Sequence, residues 1–425
     1  MRRLLLVFLV LLTLIVASGC TTTTHHMLNP IVLDPQVSLD EKLSAYSIPK
    51  VQVTFPKVYH DGLKWRDRVI ELIEGAEDYL IISAFLASSS EDLQPLYDAL
   101  ARKAESGVRV YFVVDGIGPF DMTETRFHLI PLKFLRESGV HLLEFNPISS
   151  ARLVSLFSLL DRDHRKYLIV DGKHLAMGGM NLNYISIGAR DDNLQRDSMY
   201  EFYSPELVTL LLDAFVPWWN EQSWEEIRRE DFQVDETVAI GMKTYDAWYV
   251  DQHPGSDKVS ALFGSMLAEA KHEVKVLPFL PFMDSNMIEA FRTASDRGVQ
   301  VQMIIPFDKR VTNRKGIEYM VKDLRKMQID LRIEKESAES QRLLHEKLMI
   351  VDDRYVVIGS TNINYRSFNL AYETSLVIDS EELAREVEKH FDELYKKTVS
   401  ITEAMAEAWQ TFANWPRFAV GFFGG

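Results

Sequence analysis

A single cysteine, Cys20, stands in a chain of 425 residues. One thiol forms no disulfide within the chain and cannot build the cysteine-rich zinc sites whose ligands come in pairs at short spacing. Positive charge is also scarce: 47 Lys and Arg face 62 Asp and Glu, a formal net charge of −15. An acidic chain gains little from counterion release along a phosphate backbone, so non-specific nucleic-acid binding is disfavoured. The N-terminal apolar run, Leu4 to Ala17, is shorter than the ~20 residues that a transmembrane helix requires. A hydrophobic fraction of 47% and a charged fraction of 26% describe an ordinary globular protein. The length exceeds the usual single-core size and predicts two domains or two fused halves.

Arg2 and Arg3 before the apolar run, with Ala17-Ser18-Gly19-Cys20 after it, read as a secretory signal. The box resembles a bacterial lipoprotein signal, in which Cys20 becomes the lipidated N-terminus. Residues 1–20 are therefore expected to be a lipoprotein-like signal peptide. The body is expected to be extracytoplasmic and membrane-anchored, at the periplasmic face of an outer membrane or the outer face of a cell membrane. Residues 21–50 are polar, hold Pro30 and Pro35 and lack sustained periodicity, so they read as a tether. His25-His26, within that tether, is not read as a metal site.

From Val51 onward, helical periodicities and β-rich runs alternate. The helix around Trp65–Ala76 leads into the strand Tyr79–Leu86, and a helix ending before Gly107 leads into Val108–Val114. The same order returns after residue 250: a helix from Val259 to Ala270 precedes Glu273–Leu277, and a helix stopped by Gly298 precedes Val299–Ile305. Such alternation predicts a mostly parallel sheet flanked by helices, twice over. The two halves are expected at 51–240 and 241–425, with the seam near 235–250. Phe215–Trp219 reads as core, and the aromatic tail Trp409–Phe423 as packed on the body. Leu153–Leu160 is equally compatible with a buried segment and a rim loop touching lipid.

The duplication is sharpest in one stretch. His164, Lys166, Asp171, Gly178, Gly179 and Asn181 recur 181 residues later as His345, Lys347, Asp352, Gly359, Ser360 and Asn362. Asn183, Tyr184 and Ser186 likewise match Asn364, Tyr365 and Ser367, so ten of 23 positions from His164 to Ser186 are identical. That density in one register is hard to reconcile with core packing alone. Each copy reads as a strand–turn–strand, with Asp171-Gly172 and Asp352-Asp353 at the turns. Side chains alternate along a strand, so His and Lys two apart share a face while Arg165 and Glu346 point the other way. One His and one Lys per hairpin make a poor metal site. The set suits a phosphate: lysines supply charge, asparagines supply amide donors, and two histidines can serve as nucleophile and proton donor. No metal or other cofactor is expected.

His-x-Lys-x4-Asp followed by Gly-Gly/Ser-x-Asn, present twice, resembles the phospholipase D superfamily over roughly residues 51–400, and within it the bacterial cardiolipin synthases. Gly179 stands where many relatives have Ser, although cardiolipin synthases also show Gly there, and the residues after Asn181 differ from those that often follow in these synthases. The resemblance implies an α/β fold in which two phospholipase D-like α/β/α repeats are fused as a bilobal pseudo-twofold monomer. It implies that His164 attacks a phosphodiester and becomes a phosphohistidine, and that His345 protonates the leaving alcohol. Lys166, Lys347, Asn181 and Asn362 would hold the phosphate, with Ser360 and Gly179 also against substrate. Asp197 would orient His345, and Glu373 would orient His164. Asp171 and Asp352 read as structural turn residues. The implied partners are a phospholipid and a membrane surface, not nucleic acid. The implied activity is a phosphatidyltransferase of the cardiolipin synthase type, with phosphatidylglycerol as candidate acceptor. The alternatives are a phospholipase D hydrolase and an extracytoplasmic phosphodiesterase or nuclease of the same superfamily. Oligomeric state is left open.

Overall fold

The computed structural model describes residues 30–88, 90–116, 132–147, 161–189 and 194–424. Cys20, His25-His26 and Leu153–Leu160 lie outside the described residues. Among the described residues, no helix is long and apolar enough to cross a membrane.

Two sheets carry the two halves. The first runs in the order Lys57–Tyr59, Met199–Phe202, His174–Gly178, Tyr167–Val170, Tyr79–Ala84, Arg109–Asp115 and His141–Phe145. The second runs Lys50–Thr54, Thr244–Gln252, Ala371–Asp379, Tyr355–Gly359, Leu348–Val351, Glu273–Leu277, Gln300–Ile305, Asp330–Glu334 and Thr398–Ser400. Both are mixed rather than mostly parallel. The strand–helix–strand units pair parallel, as expected, but each motif hairpin joins the sheet antiparallel to Tyr79–Ala84 or to Glu273–Leu277.

Strand burial explains the apolar runs. Tyr79 and Ile81 face a central core, while Leu80, Ile82 and Ala84 face an outer one, so both faces are covered and alternation disappears. The central core receives one face of each sheet together with the helices Pro205–Gln222 and Glu381–Tyr395. These helices occupy equivalent places and start alike: the Ser204 and Ser380 side chains accept the backbone N–H groups of Leu207 and Leu383, each at 3.2 Å. Phe215, Val216, Trp218 and Trp219 are buried there, as their sequence suggested.

The reading of 21–50 as a tether holds at most up to the first described residue. Pro30–Leu33 and Leu39–Ser44 are helical, and Ser38 with Glu41 forms a capping box. Val32, Leu39, Leu43 and Ile48 are buried in the core of the second half, and Trp248 donates its indole N–H to Asp40 at 2.8 Å. Four apolar residues spaced too irregularly to show a period each dock separately, so only tertiary structure reveals them. Lys50–Thr54 then pairs with Thr244–Gln252. The chain thus starts on the second sheet before crossing to the first, and the first repeat's boundary at 51 shifts beyond that strand. At the other end, Phe418 packs on Tyr319 and Phe422 stacks on Tyr365, ring centroids 5.2 and 4.8 Å apart, so the aromatic tail is seated on the body.

The motif aspartates are turn residues that also fasten the neighbouring strand. Asp171 and Asp352 have left-handed φ values of 51° and 53°. The Asp171 carboxylate accepts the N–H groups of Glu77, Asp78 and Tyr79 at 2.8–2.9 Å. Asp352 does the same for Lys271, His272 and Glu273. Hydrogen bonds to a charged acceptor contribute about 1.5–3 kcal/mol, so Asp171→Ala or Asp352→Ala should each cost at least about 2 kcal/mol of stability. Denaturant unfolding measures this; a loss below half that value would show that the strand starts hold without their anchor.

Candidate active site

The two motifs meet at the seam between the lobes, and short reciprocal bridges bring them there. Arg162-Asp163 pairs parallel with Ala371-Tyr372, and Leu343-Leu344 pairs parallel with Gln195-Arg196. The His164 N–H then donates to the Tyr372 carbonyl at 2.9 Å, and the His345 N–H to the Arg196 carbonyl at 2.8 Å. Each acceptor immediately precedes the carboxylate residue of the opposite lobe. Backbone pairing therefore delivers Glu373 to His164 and Asp197 to His345.

The side chains complete the crossing. His164 Nδ1 lies 2.9 and 3.0 Å from the two Glu373 oxygens. His345 Nδ1 lies 2.5 Å from Asp197 Oδ2 and 2.8 Å from Lys347 Nζ. Lys166 Nζ donates to the His164 carbonyl at 2.6 Å, and Lys347 Nζ to that of His345. His164, His345, Asn181, Asn362 and Glu373 line one cleft of about 600 Å³, with Phe85, Phe279, Arg162, Arg310 and Arg366 also in its wall. The two lysines sit beneath that wall, almost fully buried, each under an aromatic ring: Lys166 is 5.3 Å from the centre of Phe85 and Lys347 is 4.5 Å from that of Phe279. Asn181 accepts the Leu86 N–H through its side-chain oxygen at 3.1 Å, which leaves its amide N–H groups to offer.

Burial sets the protonation states. It lowers the His164 ring to about 4, with Glu373 opposing. Burial would raise the Glu373 carboxyl, but the charges of His164 and Lys166 and hydrogen bonds from His164 and Ser360 outweigh it and hold the group below its ordinary value. Near neutral pH this pair is therefore imidazole and carboxylate. An ionised carboxylate only accepts, so Nδ1 carries the proton and Nε2 keeps its lone pair. The other pair differs. Burial pushes Asp197 up to about 7 against the pull of Lys347, and pushes His345 well below its ordinary value. Asp197 thus retains a proton into the neutral range. Burial also brings Lys166 down to about 7 and Lys347 to about 8, opposed chiefly by Glu373 and Asp197 respectively. Cations held down in this way gain from the approach of an anion.

Two expected substrate contacts are corrected. Ser360 is fully buried and its hydroxyl donates to Glu373 at 2.5 Å, so it braces the carboxylate. Gly179 makes room for the other carboxylate: a Cβ there would lie 2.2 Å from Asp197 Oδ1. The repeated Asn and Ser beyond the motif also have a local task. Asn183 and Asn364 cap one short helix each through the N–H groups of Ser186 and Ser367, and the Ser367 hydroxyl donates to Glu373 at 2.6 Å. Sequence reasoning missed Phe85 and Phe279, whose rings lie 4.9 and 4.2 Å from those of His164 and His345. The signal was present: each stands six residues after the first residue of the strands beginning at Tyr79 and Glu273.

Comparison with known proteins agrees with this architecture. A family model described as the phospholipase D-like domain of cardiolipin synthase matches residues 69–219 and 264–395. Cardiolipin synthase 1 of Bacillus anthracis is 26% identical over 366 residues, covering 83% of this chain and 69% of its own length. The cardiolipin synthase of Alkalihalophilus pseudofirmus is 24% identical over 349 residues, covering 78% of this chain and 64% of its own. The crystal structure of phosphatidylserine synthase from Haemophilus influenzae Rd KW20 superposes with a TM-score of 0.68 at 14% identity, covering 91% of this chain and 99% of that one. At that identity the likeness is one of fold. Two matched halves, a duplicated His-x-Lys motif and one cleft shared between them leave a single assignment: the chain is an enzyme of the phospholipase D superfamily and belongs to the family of cardiolipin synthase phospholipase D-like domains.

Proposed function

We propose that the chain is a phosphatidyltransferase of the cardiolipin synthase type, which moves a phosphatidyl group from a phospholipid phosphodiester to an alcohol, phosphatidylglycerol being the candidate acceptor. The observation that carries this reading is the unequal pair of crossed dyads on one cleft: a neutral His164 held by an ionised Glu373, facing a His345–Asp197 pair that retains a proton. The names of the relatives at modest identity support the lipid substrate class.

In the first step the His164 Nε2 lone pair attacks phosphorus, the bond to the leaving glycerol oxygen breaks, and the proton held by the His345–Asp197 pair passes to that oxygen. In the second step His345 takes the proton of the incoming alcohol, whose oxygen displaces His164 from phosphorus. Glu373 stabilises the imidazolium character that His164 acquires in both steps. Lys166 and Lys347 offset charge on the phosphoryl oxygens in a buried setting, where such attraction is strong. Water as acceptor would give a phospholipase D reaction by the same chemistry. A nuclease reading is disfavoured by the net charge of −15.

Purified protein with EDTA, offered phosphatidylglycerol vesicles and separately DNA, tests this by mass spectrometry of the products. Cardiolipin should form, and His164→Ala should reduce it by at least about 10³-fold, the scale of losing a nucleophile or acid–base group. DNA cleavage without lipid turnover would sink the proposal.

The buried lysines make a second prediction. A phosphate-like anion in the cleft restores the charge that burial suppresses, so their proton affinities rise on binding. Between pH 7.5 and 8.5, around and above the lysine values of about 7 and 8, binding of a non-hydrolysable phosphodiester analogue should take up protons. Calorimetry in two buffers of different ionisation enthalpy reads the number. Proton release, or no exchange, would contradict the charge-compensation account.

A further inference from the structure

Behind the cleft, the residue between His345 and Lys347 is held with unusual care. Glu346 is buried, and its carboxylate is met from three directions. His390, on the helix Glu381–Tyr395 of the second lobe, places Nε2 2.7 Å from Oε2. His60, which follows the strand Lys57–Tyr59 of the first lobe, places Nδ1 3.2 Å from Oε1 and 2.7 Å from the Ser198 hydroxyl. Ser198, also of the first lobe, donates to Oε1. Burial alone would raise this carboxyl, but the charge of His390 and hydrogen bonds from His390 and His60 hold it well below its ordinary value. Glu346 in turn raises His390 against burial and the nearby charges of Arg196 and Lys397.

Two histidines and a glutamate are also a donor set for zinc. Zinc requires both imidazole lone pairs to converge in their ring planes on one point about 2.0–2.1 Å away. Here the rings are stacked, centroids 4.2 Å apart and planes inclined by 21°, so their nitrogens point side by side, each to its own carboxylate oxygen. The nitrogens meet the carboxylate as separate hydrogen-bonding partners. A second cluster, Glu273, Asp353 and Glu388, already has a cation in its midst: Lys275 Nζ lies 3.2 Å from Glu273 and is bonded to Glu388.

The place of the cluster gives it a task. Ser198 follows Asp197 and donates its backbone N–H to the Asp197 carboxylate at 2.8 Å, while Glu346 follows His345. The segments 197–198 and 345–346 are therefore pinned twice across the seam, by His345–Asp197 in the cleft and by Glu346–Ser198 behind it. The corresponding residue of the first repeat, Arg165, is held differently: it pairs with Asp163, two residues earlier, at 2.8 Å, lies 3.9 Å from Asp251 and sits over the rings of Trp218 and Tyr372. We infer that Glu346, with His60 and His390, is a rear clamp that positions the His345–Asp197 pair, so that one half of the site has its own alignment device. The clamp's effect on turnover rests on the proposed role of His345 as proton donor.

Three variants test it: Glu346→Gln, which keeps the shape, and His60→Gln and His390→Gln at partly exposed positions that keep the test alive if the first does not fold. Two readouts are needed. Turnover of phosphatidylglycerol is compared with the burst of nitrophenolate from bis(p-nitrophenyl) phosphate, whose leaving group requires no proton. Misalignment of the proton donor should lower the ratio of lipid turnover to burst rate by about tenfold or more, the usual scale for losing a partner that orients an active group. Independently of any substrate, the ring titration of His345 in histidine-labelled protein, followed by NMR, should shift in the variants. If that shift appears but the wild type turns over no lipid, the clamp stands and the proposed reaction falls. Folded variants with the wild-type ratio and a superimposable His345 titration overturn the clamp. So does stoichiometric zinc binding that is lost in His60→Gln and His390→Gln.

Discussion

Each catalytic candidate histidine is anchored by the lobe it does not belong to, and the rest of the architecture serves that constraint. Two residues of parallel pairing on each side, closed by one backbone hydrogen bond to the histidine itself, set the register at which a carboxylate from the far lobe reaches Nδ1. A slip of one residue would turn that carboxylate to the opposite face of its strand. The shared central core, to which both sheets and two equivalently placed helices contribute, is what makes such a slip costly. Neither lobe alone holds a complete dyad, so the duplication is functional only when both copies are folded against each other.

Burial then does electrostatic work that the residue types alone do not specify. Two lysines, two histidines and two carboxylates crowd a seam where water is largely excluded, and the unfavourable charge is partly relieved by shifted protonation. An incoming phosphodiester brings the negative charge that this cluster lacks. Affinity for the anion and readiness for proton transfer therefore have one cause, desolvated cations waiting for a counter-charge.

Much of this was legible in the sequence because the copies share one register. The offset of 181 residues exposed the hairpins, the turn aspartates and the pairing of His with Lys on a face, and the family resemblance supplied the crossing of Asp197 and Glu373. What was hidden depends on distance in space. The docking of Val32, Leu39, Leu43 and Ile48 follows no helical or strand period. The antiparallel insertion of the hairpins into otherwise parallel units is a matter of pairing between distant strands. Phe85 and Phe279 fall outside the motif's offset and become visible only when the strands are aligned by their starts. Ser360 and Gly179 were read as substrate contacts because they sit in the motif, whereas the space beside them belongs to the carboxylates.

That last correction bears on why two nearly identical half-sites can do different things. Glu373 is the longer acid: the charges of His164 and Lys166, with hydrogen bonds from His164 and Ser360, keep it ionised against burial, while burial itself keeps His164 neutral with a free Nε2. Asp197 is shorter and sits where a serine side chain would otherwise be. No hydroxyl stands in the place of Ser360, and burial, with the charge of Glu346 adding to it, raises Asp197 against the pull of Lys347, so a proton stays with the His345 pair. One methylene in the acid and one hydroxymethyl in the facing loop thus give the two carboxylates of the pseudo-symmetric site different surroundings. The repeat brings the residues together; the places where the repeat is broken set their environments apart.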